Sequence, residues 1–265
     1  MTKKQTNDKL LVAFNSSMSG NLNARAVDFF ENSEREFNYG VIDMQYLLDC
    51  GDISDVPSSN DKLYNVLCFC KTEEAVQEVE SSLEVLRVCS SEQHIEIFID
   101  PSLPGTLCNL YYFAKEFAGF SNVFLNYCHT ESGRNSEGIL EFYAVTDSRI
   151  PLTDNLISEF SKKWDGLVAN NAAIRSSVNG EISEYTLDQA KAKVLNVFTD
   201  EYERFGTLYH NFWRECGEEE VWSFTSFGHI TEVLTNEGIV ERIPDTNVHE
   251  YYRDMYSEQK YRIRR

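Results

Sequence analysis

The chain has 265 residues, of which 42% are hydrophobic and 13% aromatic, and its formal net charge is −19 at pH 7. This hydrophobic content predicts a folded globular protein, and the length suits two modest domains. The charge disfavours binding to nucleic-acid phosphates and to anionic membrane surfaces, because both require clustered Lys and Arg side chains. We therefore expect no nucleic acid and no membrane among the partners.

The seven cysteines are odd in number and include no Cys-x-x-Cys pair. No disulfide framework is therefore expected, and a reducing cytoplasm is the predicted location. The apolar run after Lys3 and Lys4 is about five residues long, which is too short for the hydrophobic region of a signal peptide. No run reaches the roughly 18 apolar residues of a membrane span.

The first half of the chain alternates between strand-like and helix-like segments. Strands are predicted at Lys9–Phe14, Tyr39–Met44, Asn65–Cys70, Ile95–Ile99, Asn122–Tyr127 and Ile139–Val145. Helices are predicted at Asn21–Glu31, from Thr72 onward, and at Thr106–Phe117. Strands and helices that recur at this spacing predict βα units around a mainly parallel sheet, with helices on both faces.

The pattern becomes mostly helical near residue 150. Helices are predicted at Asp154–Asn170, Thr186–Thr199, from about Tyr202, and at Phe224–Thr235, and two short strand-like pieces near Val240 and Tyr261 predict a C-terminal hairpin. We therefore predict an α/β protein with a Rossmann-like, mainly parallel sheet domain at residues 1–150. A smaller, mainly α-helical domain with that hairpin is predicted at residues 151–265.

Both halves of the chain resemble an uncharacterised bacterial two-domain family. Trp164–Arg175 resembles the rough pattern W-x-x-L-x-x-E-N-x-x-L-R that opens its C-terminal domain, and Phe224–Glu241 is similar to the closing part of that domain. Asn15–Leu22 and, loosely, Gln45–Gly51 match the two motifs of its N-terminal domain. The chain thus resembles domain of unknown function 1835 followed by domain of unknown function 3658, which implies an architecture but no activity. It departs from the family pattern at Ser16, Asn23 and Asp52.

The loop after the first strand carries the strongest ligand-binding signal. It offers hydroxyls, an amide and backbone N–H groups at a helix N-terminus, an arrangement that attracts phosphate or carboxylate. In α/β folds, ligands also bind at the carboxyl ends of the strands. The candidate ligand-binding residues are Asn15, Ser16, Ser17, Ser19, Gly20 and Asn21. The structural alternative is that Ser17 or Ser19 caps the helix and that Gly20 permits the turn.

Asn171 and Arg175 lie four residues apart at the end of a predicted helix, a spacing that places both on one side. They either form a hydrogen-bond network that ties this helix to its neighbours or contact an anion at a domain interface. The five histidines stand in no catalytic motif, although His129 follows a strand and is placed near the same sheet edge as the first loop. Cys128 and His129 are adjacent and point to opposite faces of a strand, so no metal site is predicted. No cofactor is expected either.

A basic cluster, Arg262, Arg264 and Arg265, stands among the last residues and is interpreted as a solvated terminus. The helical unit with its hairpin resembles a winged helix. However, Phe224–Thr235 contains no Lys or Arg, which argues against reading of the DNA major groove by that helix.

These features favour a cytoplasmic binding module that holds a small anionic or nucleotide-like ligand at the first strand-to-helix loop. The alternative is an acidic protein–protein interaction or regulatory component without catalytic activity, whose charge would speed association with a basic partner. An enzyme is a third option, for which the sequence identifies no acid–base pair. The sequence carries no signal for an oligomeric state.

Overall fold

The computed structural model describes residues 9–15, 17–22, 39–56, 72–134, 140–217, 219–244 and 259–264. Within these ranges the chain has an α/β fold with one five-stranded sheet and two three-stranded sheets. None of the helices in this part of the chain is long and apolar enough to cross a membrane.

The chain divides into two compact units that interleave along the sequence. Unit 1 comprises Met1–Tyr46, Gln77–Pro101 and Gly105–Gly166, and unit 2 comprises Leu47–Val76, Ser102–Pro104 and Leu167–Arg265. The predicted domains, residues 1–150 and 151–265, are contiguous instead, and that division stays a prediction.

The sheet of unit 1 contains β1 (Lys9–Ala13), β2 (Tyr39–Asp43), β3 (His94–Ile99), β4 (Val123–Arg134) and β5 (Leu140–Pro151). Their order is β2-β1-β3-β4-β5. The first four strands run parallel to their neighbours, and β5 runs antiparallel to β4. The predicted mainly parallel sheet is therefore confirmed for these strands. The predicted strand Asn65–Cys70 lies outside the described residues.

The helices of the first half are α1 (residues 17–22), α2 (Thr72–Arg87) and α3 (Pro104–Phe113), and α3 continues as a 3-10 turn over Ala114–Phe117. Met18 and Leu22 of α1 are buried in one apolar cluster with Leu11 and Phe98 of the sheet. Helix α1 begins four residues before the predicted start at Asn21, and residues 23–31 of that predicted helix lie outside the described ranges. The next helix, α4 (Asp154–Asn170), has the predicted bounds.

Unit 2 contains both helices and sheets. Its helices are α5 (Leu187–Leu195), α6 (Phe205–Cys216) and α7 (Phe224–Asn236). Its strands are β6 (Ile174–Val178), β7 (Glu181–Tyr185), β8 (Glu203–Arg204), β9 (Glu220–Val221), β10 (Val240–Pro244) and β11 (Gln259–Ile263). They form two sheets, in the orders β7-β6-β9 and β10-β11-β8.

The sequence pattern predicts the pair β10 and β11 but misses β6 and β7. Strands β10 and β11 pair antiparallel, as in the predicted hairpin, and the residues that connect them lie outside the described ranges. Strand β6 reads Ile-Arg-Ser-Ser-Val and is buried along most of its length. Because its middle residues are polar, it shows neither the alternation nor the apolar run by which strands are recognised.

Residues 47–53 follow β2 in the chain and belong to unit 2, where residues 47–50 and Ile53 are buried. Leu48 and Cys50 are fully buried, and Cys50 forms an antiparallel bridge with Ile174 of β6. On either side of this bridge, the N–H of Gly51 donates to the carbonyl of Ala173 at 2.9 Å, and the N–H of Arg175 donates to the carbonyl of Asp49 at 2.8 Å. The segment thus adds a short extended piece beside the start of β6, the central strand of its sheet.

Candidate functional site

The strand order of unit 1 changes direction at β1, because β2 lies on one side of it and β3 on the other. Both neighbours run parallel to β1, so the carboxyl ends of all three strands meet at one edge of the sheet. Ligands of α/β sheets bind in the crevice at such a reversal. The loop that follows β1, predicted as the ligand site, lies at this edge.

Asn15 caps helix α1 in this loop. Its side-chain Oδ1 accepts a hydrogen bond from the N–H of Met18 at 2.7 Å, and its carbonyl accepts one from the N–H of Ser19 at 3.0 Å. The predicted cap at Ser17 or Ser19 is therefore wrong, because the helix begins early enough for Asn15 to satisfy its first turn. Ser17 is exposed, Ser19 and Asn21 are half-buried, and Ser16 lies outside the described residues.

Gly20 does not form a turn. It lies inside α1, its φ is not in the left-handed region, and it is exposed. Among the described residues, a Cβ built on it would meet no heavy atom within 4 Å outside its chain neighbours and the backbone of its own helix. The predicted turn role of Gly20 is therefore wrong.

Two carboxylate side chains stand at the ends of the strands that flank β1. Asp43 ends β2 and is the register partner of Ala13 in β1. Asp100 follows β3 and is buried, and its carbonyl accepts a hydrogen bond from the Thr106 hydroxyl at 2.6 Å. Ionised carboxylates only accept hydrogen bonds, so this edge suits a ligand with hydroxyl or amine donors better than a bare anion.

The pairing of β3 with β4 ends at Ile99 and Tyr127, and beyond this point β4 and β5 continue as a two-stranded ribbon. His129 lies in this ribbon, on β4. Its Nδ1 is 2.8 Å from an oxygen of Asp147, and its Nε2 is 3.1 Å from an oxygen of Glu131. The hydrogen bond to Asp147, followed by that to Glu131, raises the pKa of His129. An imidazolium that donates from both ring nitrogens to carboxylates serves as a cationic cross-link between the two strands.

We expect the pKa of His129, measured by an NMR pH titration, to exceed the ordinary histidine value of about 6.5. Because Asp147 is the larger cause of the shift, Asp147→Asn should lower this pKa more than Glu131→Gln does. The stabilisation by this cross-link is complete below the unfolded-state pKa and is lost as the pH rises through the folded-state pKa. A wild-type pKa at or below the ordinary value would contradict the two hydrogen bonds.

A polar cluster that was not predicted from the sequence lies on one face of the unit 1 sheet. The Glu96 side chain is only 3% exposed. Its carboxylate accepts hydrogen bonds from Arg149 Nη2 at 2.8 Å and from Asn126 Nδ2 at 2.9 Å, and it lies 2.5 Å from His94 Nε2. Burial acts to raise the pKa of Glu96, but these hydrogen bonds, that of Arg149 above all, outweigh it and lower the pKa.

These contacts give Glu96 a structural role, since its carboxylate joins β3 to β4 and β5. The Arg149 guanidinium also lies over the Phe124 ring, 3.4 Å from its centroid. The available sequence signal was the single Glu in the otherwise apolar run Ile95–Ile99. A charge inside a buried strand requires a partner, and the sequence does not indicate which residue supplies it.

Asn171 and Arg175 do not lie on one side of a helix. Helix α4 ends at Asn170, Asn171 has a φ of 43°, and Arg175 belongs to β6. That part of the prediction is wrong, because the chain leaves the helix before Asn171 and enters a strand before Arg175.

Both side chains nevertheless bind residues 47–53. Asn171 Oδ1 accepts from the N–H of Ile53 at 3.0 Å, and Asn171 Nδ2 donates to Asp52 Oδ1 at 2.8 Å. Arg175 is fully buried, and its Nη1 donates to the carbonyls of Leu48 at 3.2 Å and Gly51 at 3.1 Å. These are the contacts that the network alternative requires, and the anion contact stays a prediction.

Helix α7 packs against the same segment. The hydroxyl of Ser226 donates to Asp49 Oδ2 at 2.9 Å, and Ser223 caps the helix by accepting from the N–H of Ser226 at 2.9 Å. Helix α7 is buried along most of its length, including Phe227 and Ile230. The likeness to a winged helix noted from the sequence stays a prediction.

We expect Asn171→Gly to lower the free energy of unfolding by about 1–2 kcal/mol, because it removes two side-chain hydrogen bonds while permitting the left-handed backbone. Asn179→Gly is the matched control. Asn179 has a φ of 51°, and its backbone N–H donates to the carbonyl of Glu219. The control should change the free energy by less than about 0.5 kcal/mol. Equal effects of both variants in urea unfolding would contradict the assigned role of Asn171.

A surface hollow of about 250 Å³ lies at the other edge of the unit 1 sheet. It is lined by residues that precede β3 and β4, including Ser91 and Phe120, and by the end of α2. These are the amino ends of parallel strands, whereas α/β sheets bind ligands at the carboxyl ends. We therefore do not place the candidate site in this hollow.

The described residues contain no group of three or more His, Cys, Asp or Glu side chains that could hold a metal ion. Comparisons of the chain with protein families, with curated proteins and with solved structures found no match. The resemblance to the two domains of unknown function therefore stays a prediction.

Proposed function

We propose that unit 1 is a Rossmann-like binding module that holds a small, nucleotide-like ligand at the carboxyl ends of β1 and β3. The observation that carries this proposal is the reversal of strand order at β1. It brings the first turn of α1 to the position where doubly wound sheets bind ligands.

The polar groups at this edge suit the phosphate and the sugar of a nucleotide. The N–H of Ser17 lies in the first turn of α1, where backbone donors have no intrahelical acceptor, and Ser17 is exposed. A ligand phosphate accepts from these donors and benefits from the helix dipole. Asp43 accepts from the sugar hydroxyls, as an acidic residue does in dinucleotide-binding folds.

A bare anion is the weaker candidate ligand, because Asp43 and Asp100 flank the same loop. A nucleoside monophosphate places its charge at α1 and its hydroxyls at a carboxylate. The proposal assigns no acid–base chemistry to this edge. The alternative of an acidic interaction or regulatory component rests on the net charge of −19 and stays a prediction.

We expect AMP to raise the melting temperature of the protein in a thermal-shift assay, and inorganic phosphate to raise it less. At a ligand concentration of about 100 Kd, a single site stabilises the folded state by about 2.7 kcal/mol. Ser17→Glu should abolish the AMP shift, because it places a carboxylate where the ligand phosphate binds. The fold should tolerate the change, since acidic residues are favourable in the first turn of a helix.

Ser158→Glu is the matched control, because it makes the same change at an exposed position of α4. It should leave the AMP shift unchanged, and Asp43→Asn should reduce the shift produced by adenosine. The proposal is wrong if AMP, GMP and adenosine all fail to stabilise the protein. It is equally wrong if Ser17→Glu keeps the full AMP shift.

A further inference from the structure

Five side chains meet on one face of the unit 1 sheet, where β3, β4 and β5 lie side by side. Glu96 and Phe124 are register partners across β3 and β4, and Asn126 and Arg149 are register partners across β4 and β5. His94 lies two residues before Glu96 on β3, so its side chain projects to the same face. We call these five residues the β3–β5 cluster.

The Glu96 carboxylate holds two partly exposed, nitrogen-bearing side chains in place. Its own side chain is 3% exposed, whereas those of Arg149 and His94 are 44% and 23% exposed. Arg149 Nη2 and His94 Nε2 both contact the same oxygen, Glu96 Oε1. An apolar side chain at position 96 would fill the sheet without the desolvation penalty of a carboxylate, but it would not orient these two groups. The charge at this position therefore fits a role in positioning Arg149 and His94.

Arg149 presents one edge of its guanidinium group away from Glu96. Its Nε and Nη2 lie 3.1 Å and 2.8 Å from the Glu96 oxygens, so the two groups meet side-on. All the side-chain hydrogen bonds that Arg149 forms with described residues go to Glu96, and Nη1 takes part in none of them. The Phe124 ring, whose centroid is 3.4 Å from Cζ, supports one face of the group. The edge formed by Nη1 and Nη2 is therefore an oriented fork of N–H donors, which matches the geometry of a carboxylate.

We propose that the β3–β5 cluster binds the carboxylate group of a small organic acid. The outer edge of Arg149 donates to the two carboxylate oxygens. The His94 ring lies against Phe124, with the ring centroids 5.5 Å apart. Because a carboxylate only accepts hydrogen bonds, Glu96 orients His94 with a proton on Nε2, which leaves Nδ1 for a second ligand group. This site is separate from the nucleotide site, since His94 begins β3 and the nucleotide is placed at the carboxyl end of that strand.

The charges of the cluster favour a singly charged ligand. Glu96 supplies one negative charge and Arg149 one permanent positive charge, and protonation of His94 adds a second positive charge. A monocarboxylate is then balanced, whereas a phosphate dianion leaves the site with excess negative charge. Such an excess is unfavourable in a chain whose net charge is already −19. A monocarboxylate is therefore the class of ligand that fits.

The test is an NMR titration of the full chain with acetate, at an ionic strength held constant with KCl, that follows the backbone amides of Phe124 and Asn126. We expect saturable shifts with a Kd on the order of millimolar, because acetate has few non-hydrogen atoms. Arg149→Lys keeps the positive charge beside Glu96 but removes the fork, so it should weaken binding about tenfold. His94→Gln, whose amide still donates to Glu96, should weaken it about threefold. Phosphate should bind more weakly than acetate.

Arg214→Lys is the matched control, because it makes the same change at an exposed arginine of α6. It should leave the affinity for acetate unchanged. If circular dichroism shows that Arg149→Lys is unfolded, His94→Gln gives the same comparison. The proposal is overturned if the cluster variants bind acetate as tightly as the unmodified protein, if no saturable shift occurs, or if phosphate binds more tightly than acetate. Shifts confined to residues 17–22 would place acetate at α1 and would also overturn it.

Discussion

The burial of the Arg175 guanidinium is the constraint on which unit 2 depends. A charged group without access to water needs hydrogen-bond acceptors around it, and Arg175 finds two in the carbonyls of Leu48 and Gly51. Residues 47–53 lie more than a hundred positions away in the sequence, so their place beside β6 is a long-range requirement of the fold. Removal of these residues would leave a buried cation without those acceptors, and would also take Leu47 and Cys50 out of the apolar core.

Hydrogen bonds likewise hold the chain in place at the candidate ligand site of unit 1. The fully buried Asn109 accepts from the N–H of Tyr46 at 2.8 Å and donates to its carbonyl at 2.9 Å. The N–H of Met44 also donates to the carbonyl of Ala13, and the Ser82 hydroxyl donates to that of Asp43. The end of β2 is thus held beside the end of β1. Pre-organisation of this kind lowers the cost of ordering a binding site when the ligand arrives.

The sequence predicts those parts of the fold that have a local hydrophobic pattern. Strands β1 and β3 are short apolar runs that are buried almost throughout, and helix α4 has apolar residues at a helical spacing. Strand β6 escapes prediction because Arg175, Ser176 and Ser177 are buried through specific partners rather than through hydrophobicity. The ligand loop could be placed from the sequence. The residue that caps α1 could not be predicted, because Asn15 and the serines around it are all favourable N-cap residues. Which of them caps the helix depends on the residue at which the helix begins.

Native-state hydrogen exchange of residues 47–53 tests most directly whether this segment is an integral part of unit 2. The amides of Gly51 and Ile53 donate to Ala173 and to Asn171. They should therefore exchange as slowly as the amide of Arg175. Phe227→Ala, which removes a fully buried ring from the unit 2 core, should speed the exchange of all three amides by the same factor. Fast exchange of Gly51 and Ile53 in the unmodified protein, while Arg175 stays protected, would contradict this account.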